Sequence, residues 1–166
     1  HLCEENRIVS YRNLLAIRKN NGGIRPIAVG YVWRRLAAKV ACSHAREVSS
    51  TLLAPRQLGF GVSGGIEAAI KAARCYIENM DSGKLIAKID FRNAFNTVHR
   101  DAILEAVAKH LPELLPFAAS TLSTPSVLQF ADFTLSSEEG AQQGDPLGPL
   151  YFCLTFIELL KAMKSY

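Results

Sequence analysis

The order of elements legible in this 166-residue sequence predicts a mixed α/β or α+β domain. Two stretches near opposite ends read as strand pairs, the first of them broken by turn-forming residues. Between and after them lie segments whose apolar residues recur at helical spacing. A third observation is an apolar run closed by a carboxylate, LIAKID at residues 85–90, which reads as a buried strand.

Residues 11–30, YRNLLAIRKNNGGIRPIAVG, divide into two short strands around Asn20-Asn21-Gly22-Gly23. Asn and Gly tolerate the positive φ that tight hairpin turns require. Residues 33–50 predict a helix with Trp33, Leu36, Ala37, Val40 and Ala41 on its apolar face and Arg34, Arg35, Lys39 and Arg46 around it. After Pro55, the glycine-rich loop LGFGVSGG (58–65) leads into a helix whose apolar face is Ile66, Ala69, Ile70, Ala73 and Ile77. Asp81-Ser82-Gly83 closes that helix, and the strand 84–91 follows. A helix over 100–111 presents Ile103, Leu104, Val107 and Leu111, and a second helical piece runs from Pro112 to about Ser123. Residues 126–136 read as another strand pair, and GAQQGDPLGP then introduces a strongly apolar helix over 147–163.

Composition is that of an ordinary globular protein, so disorder is excluded as the organising principle. The net charge of +4 is unevenly placed. Residues 1–56 hold ten Lys/Arg against three Glu, while the remainder is net acidic. A basic first third points to an anionic partner such as phosphate or nucleic acid, although a solvated surface would produce the same count. Cys3, Cys42, Cys75 and Cys153 are widely spaced with no C-x-x-C pair, which argues against structural zinc and for free thiols in a reducing, intracellular setting. No apolar run approaches the roughly 18–20 residues of a membrane span, so no membrane partner is expected. The chain starts at His1 and ends at Lys164-Ser165-Tyr166 within a helical pattern, so it is expected to be a piece of a longer polypeptide.

Three segments invite chemistry. The glycine loop 59–65 resembles a phosphate cradle but lacks the Lys-Ser/Thr of a Walker loop, and a plain turn is the favoured role. Asp90, at the end of an apolar run, has two roles open: capping the following helix or ligating a metal. In GAQQGDPLGP, Pro146 and Pro149 suit a helix start and Asp145 can cap it. Gly140, Gly144 and Gly148 leave little side chain there, which suggests close approach by a planar partner with Gln142 and Gln143 supplying amide hydrogen bonds. No Ser/His/Asp or Cys/His arrangement stands out, which weakens a hydrolase.

Taken in order, these segments resemble a reverse transcriptase of the non-LTR, LINE-like retrotransposon type. IRPIAVG…WRRLAAKV is similar to the opening fingers motif, and LGFGVSGGIEAAIKAAR to the segment that follows it, with Gln57 and Phe60 in place. LIAKIDFRNAFNTVHRDAIL is similar to motif A of the palm, and GAQQGDPLGPLYFCLTF to motif B. The resemblance implies a right-hand polymerase fold, with fingers over about 11–80 and a partial palm over 84–166. It implies two Mg²⁺ ions, bound by Asp90 and by the main-chain carbonyl of Phe91, that drive phosphoryl transfer. Phe95 matches the aromatic gate against a 2′-hydroxyl, and Gln143 with Gly144 the pair that holds the incoming nucleotide. Arg25 and one of Arg34 or Arg35, with Arg35 preferred, match basic positions that grip the triphosphate. Implied partners are an RNA template, a DNA primer and dNTPs.

One departure matters. The family's motif C carries an adjacent Asp-Asp pair, and none occurs in these residues. These residues are expected to lack the family's thumb too. The expectation is therefore a polymerase fragment inactive alone, with a non-catalytic nucleic-acid-binding or interaction module derived from a retroelement as the alternative. Leu150, Phe152, Leu154, Phe156, Ile157 and Leu160 of the last helix are expected to stand exposed for want of that motif, favouring association.

Overall fold

The structure is a computed structural model and describes residues 11–20 and 22–163. The first strand pair forms as expected. β1 (Tyr11–Arg18) runs antiparallel to β2 (Ile24–Gly30), with Arg18 opposite Ile24 and Arg12 opposite Gly30. Its turn is closed by the Lys19 amide donating to the Gly23 carbonyl at 2.7 Å. The second pair is β3 (Ser126–Phe130) and β4 (Phe133–Ser137). β1 also pairs parallel with β3, Tyr11 lying opposite Val127 and Asn13 opposite Gln129. The result is one four-stranded sheet in the order β2-β1-β3-β4. Each hairpin joins neighbouring stretches of sequence, but a parallel pair so distant in sequence has no local signal.

The helices are α1 (Val32–Leu53), α2 (Gly65–Glu78), α3 (Ala94–Thr97), α4 (Arg100–His110), α5 (Leu115–Leu122) and α6 (Gly148–Met163), with a 3₁₀ turn at Pro112–Leu114. The main core lies among α4, α5, α6 and one side of α1, built on Ala38, Ile103, Val107, Leu111, Leu150 and Leu154. Leu53, Cys153 and Ile157 make a smaller cluster beside it. This core carries the segments on which the candidate site is built.

Four expectations need correction. The buried residues of α1 are Arg34, Ala38, Ala45, Ser49 and Leu53, while Trp33, Leu36 and Val40 are exposed. Small residues let α1 approach α6 closely, and the buried Arg34 has its own acidic partner. The helix α2 forms where expected, but Ile66, Ile70 and Ile77 on its apolar face stand about half exposed or more. Residues 84–90 form no strand, and Leu85 and Ile89 are 78% and 66% exposed. A strand needs a neighbour for its backbone donors and acceptors, and among the described residues none pairs with this run. The last helix, conversely, is well packed: Leu150, Leu154 and Ile157 are fully buried and Phe152, Phe156 and Leu160 are half-buried.

Candidate active site

The loop joining β4 to α6 is held from two sides. On one side the Gly140 amide donates to the Val98 carbonyl at 3.0 Å and the Ala141 amide to the Phe95 carbonyl at 2.7 Å. On the other, the Ala28 amide of β2 donates to the Gln143 carbonyl at 2.7 Å. The loop therefore threads between β2 and the turn around α3. Gly140 (φ +71°) packs so closely that a Cβ there would fall 2.4 Å from Asn96 main-chain atoms, and one on Gly144 (φ +106°) 2.6 Å from the Ala28 carbonyl oxygen. Sequence reasoning reserved these glycines for a planar partner. At Gly140 and Gly144 the close approach is to the chain's own backbone.

Asp145 caps the helix that follows, as its position before Pro146 suggested: its Oδ1 accepts from the Leu147 amide at 3.0 Å. Its Oδ2 accepts from Arg34 Nη2 at 2.6 Å, with both side chains about 95% buried. This ion pair joins α1 to the start of α6. Arg12 of β1 lies behind it, and burial first, then the neighbouring Arg34, pulls its pKa down to about 10. Burial likewise raises the Tyr151 phenol well above its usual range, with Asp145 adding to the shift. Arg100 closes the other end of the loop, donating to the carbonyls of Thr124, Ser137 and Gly140.

Between the loop, the β1–β2 turn and residues 90–95 lies a cavity of about 540 Å³. Asp90, Phe91, Phe95, Gln143, Gly144 and Arg25 all line it. They come from three separate stretches of sequence. Arg35 is not among the lining residues; it is half-buried with its Nε unpartnered, and Arg34 is committed to Asp145. Lys19, from the hairpin turn, lines the cavity instead. Its signal in the sequence was only a cation beside a turn. Arg34 was a candidate for the triphosphate and holds Asp145 instead, and Arg100 had no signal, since a buried arginine shows no mark in periodicity.

The two phenylalanines that line the cavity, Phe91 and Phe95, rest on rings of α6. Phe152 and Phe156, one turn apart, stack with centroids 5.6 Å apart. Phe95 lies 5.1 Å from Phe152, and Phe91 meets Phe156 edge-on at 5.6 Å. Such contacts are worth about 0.5–1.5 kcal/mol each beyond the area they bury. The backbone between them turns at Asn93, whose φ of 53° is left-handed.

Asp90 is exposed, not buried. Its helix-capping alternative falls away, because Asn93 stands at the start of α3 and no side chain caps that end. Water can meet the charge. As a metal site the donor set is short: of the two carboxylates lining the cavity, Asp145 is already held by Arg34. Among the described residues no group of three His, Cys, Asp or Glu could hold a metal ion. Asp90 and the Phe91 carbonyl do not amount to a two-metal centre by themselves.

The glycine loop 58–65 proves to be a folded turn. A Cβ on Gly65 would fall 2.1 Å from the Leu58 carbonyl oxygen, and Gln57 Nε2 donates to Cys153 Sγ of α6 at 2.7 Å. Burial lifts that thiol to about 11.

Comparison with known proteins places the chain. The family described as "Reverse transcriptase (RNA-dependent DNA polymerase)" matches residues 17–166. The retrotransposable element SLACS 132 kDa protein of Trypanosoma brucei gambiense is 33% identical over 169 residues, covering 98% of this chain. The chain spans 14% of that relative's length.

Proposed function

The chain belongs to the reverse transcriptase family, and from that premise we propose that it forms the fingers (about 11–80) and part of the palm (84–166) of an RNA-directed DNA polymerase. In the complete gene product it would add dNTPs to a DNA primer on an RNA template. Phe95 would lie under the sugar and exclude a 2′-hydroxyl. Gln143 and Gly144 would hold the base pair end of the nucleotide, and Arg25, with Lys19 beside it, the triphosphate. Asp90 and the Phe91 carbonyl would contribute to a Mg²⁺ site that needs further carboxylates, and these 166 residues contain no adjacent Asp pair.

What carries this reading is that six residues from three stretches of sequence line one cavity. A guanidinium and an ammonium stand in it with an aromatic ring and a carboxamide, the chemistry that a nucleoside triphosphate requires. The test is primer extension on an RNA template by the complete gene product. The wild type should extend, Asp90→Ala should abolish extension, and the 166-residue segment alone should give none. Undiminished extension by Asp90→Ala would rule out the proposed role of this carboxylate.

A further inference from the structure

Gln143 is held at both ends. Its main-chain carbonyl accepts from Ala28 of β2, and its side-chain Nε2 donates to Asn96 Oδ1 at 3.1 Å. Asn96 does not line the 540 Å³ cavity; it lines an adjoining one of about 280 Å³ on the other side of Gln143. Gln143 forms part of the wall of both. Asn96 is itself fixed: its backbone packs against Gly140, and the residues on either side of that contact, Phe95 and Val98, accept the two loop amides.

A free glutamine side chain has several rotamers, and holding it in one costs rotational freedom. A partner already in place removes that cost from the binding step, which is preorganisation. Asn96 follows Phe95 directly, so the residue that anchors Gln143 is covalently next to the one proposed to read the sugar.

We propose that Asn96 is a positioning residue for nucleotide selection, acting through its hydrogen bond to Gln143. It rests on the polymerase reading above and adds to it a residue that never touches the nucleotide. Losing one hydrogen bond's worth of preorganisation amounts to about tenfold in affinity.

The experiment is single-nucleotide incorporation by the complete gene product on an RNA template, with KM and kcat measured separately. Asn96→Leu, similar in size but without the acceptor, should raise the KM for dNTP about tenfold and leave kcat within about twofold. Asn96→Asp keeps an acceptor and should stay within about twofold of wild type in both constants. Combining Asn96→Leu with Gln143→Ala should be no worse than Gln143→Ala alone, because the two act through one contact. A merely structural role would lower the active fraction, hence kcat, in both Asn96 variants at unchanged KM. That pattern, additive losses in the double variant, or an Asn96→Leu enzyme identical to wild type would each overturn the proposal. A wild-type protein unable to extend any primer would instead overturn the polymerase reading, and this inference with it.

Discussion

Two apolar patterns of equal clarity in the sequence meet opposite fates in the fold. In α4 and α6, residues at helical spacing close on one another until Ile103, Val107, Leu150 and Leu154 are wholly buried. In α2 and the run 85–91, Ile66, Ile70, Ile77, Leu85 and Ile89 stand largely in solvent. What separates the two regions is fastening, not hydrophobicity. The first carries the Arg34–Asp145 ion pair, the Arg100 clip and the Glu158 cluster linking α4 to α6, whereas the second shows no ion pair to another element among the described residues and touches α6 through the Phe91–Phe156 ring contact. An apolar stripe marks a face; it does not supply the partner that covers it.

Breaking a tie in the fastened region should therefore do far more than altering the open one. Arg34→Met has the largest expected effect, because it leaves Asp145 buried without its counter-charge, a loss of about 3–5 kcal/mol. Urea unfolding of the 166-residue chain checks it, and adding Asp145→Asn should recover part of the loss. A smaller, pH-dependent effect is expected at Glu158. Hydrogen bonds from Lys109 first, then Lys161, with His110 also contributing, pull its carboxyl down to about 2. Because the folded value lies below the unfolded one, its stabilisation is present above about pH 4.3 and is lost as pH falls through 2. Glu158→Gln should thus melt below wild type at pH 6, with the gap closing toward pH 2. A gap constant across that range would argue against the carboxylate as its source.

The smallest change in stability belongs to the open region. Ile70→Ser with Ile89→Ser should shift the unfolding free energy by no more than about 0.5 kcal/mol each, as for surface positions. The same pair should reduce self-association in sedimentation, since it removes exposed apolar area. A cost of several kcal/mol would mean that these side chains are buried in solution and that the two regions do not differ.

Much of this was legible beforehand, for identifiable reasons. Both hairpins, the helix after Pro112 and the long last helix carry turn residues, prolines and periodicity that act locally. Six of the residues converging on the cavity could be named because their order along the chain resembles a known family, whereas Lys19 was missed and Arg35 lies outside it. Tertiary choices were not legible. Arg34 and Arg35 are indistinguishable as neighbours in sequence, yet one is buried in an ion pair and the other is half-buried. Gly140 and Gly144 looked like open ground and are instead points where two backbones meet. Asp90 looked buried because its apolar neighbours suggested a covered strand, and cover depends on a partner that local sequence does not encode.

The most direct test of the proposed site concerns Phe95, seated on Phe152 in the cavity wall. Phe95→Val in the complete gene product removes the ring but keeps an apolar residue. Ribonucleotide incorporation should rise about tenfold or more relative to deoxynucleotide, one lost contact's worth of discrimination. Discrimination unchanged from wild type, in an enzyme that still extends primers, would mean that the sugar does not lie against this ring and that the cavity is not the nucleotide site.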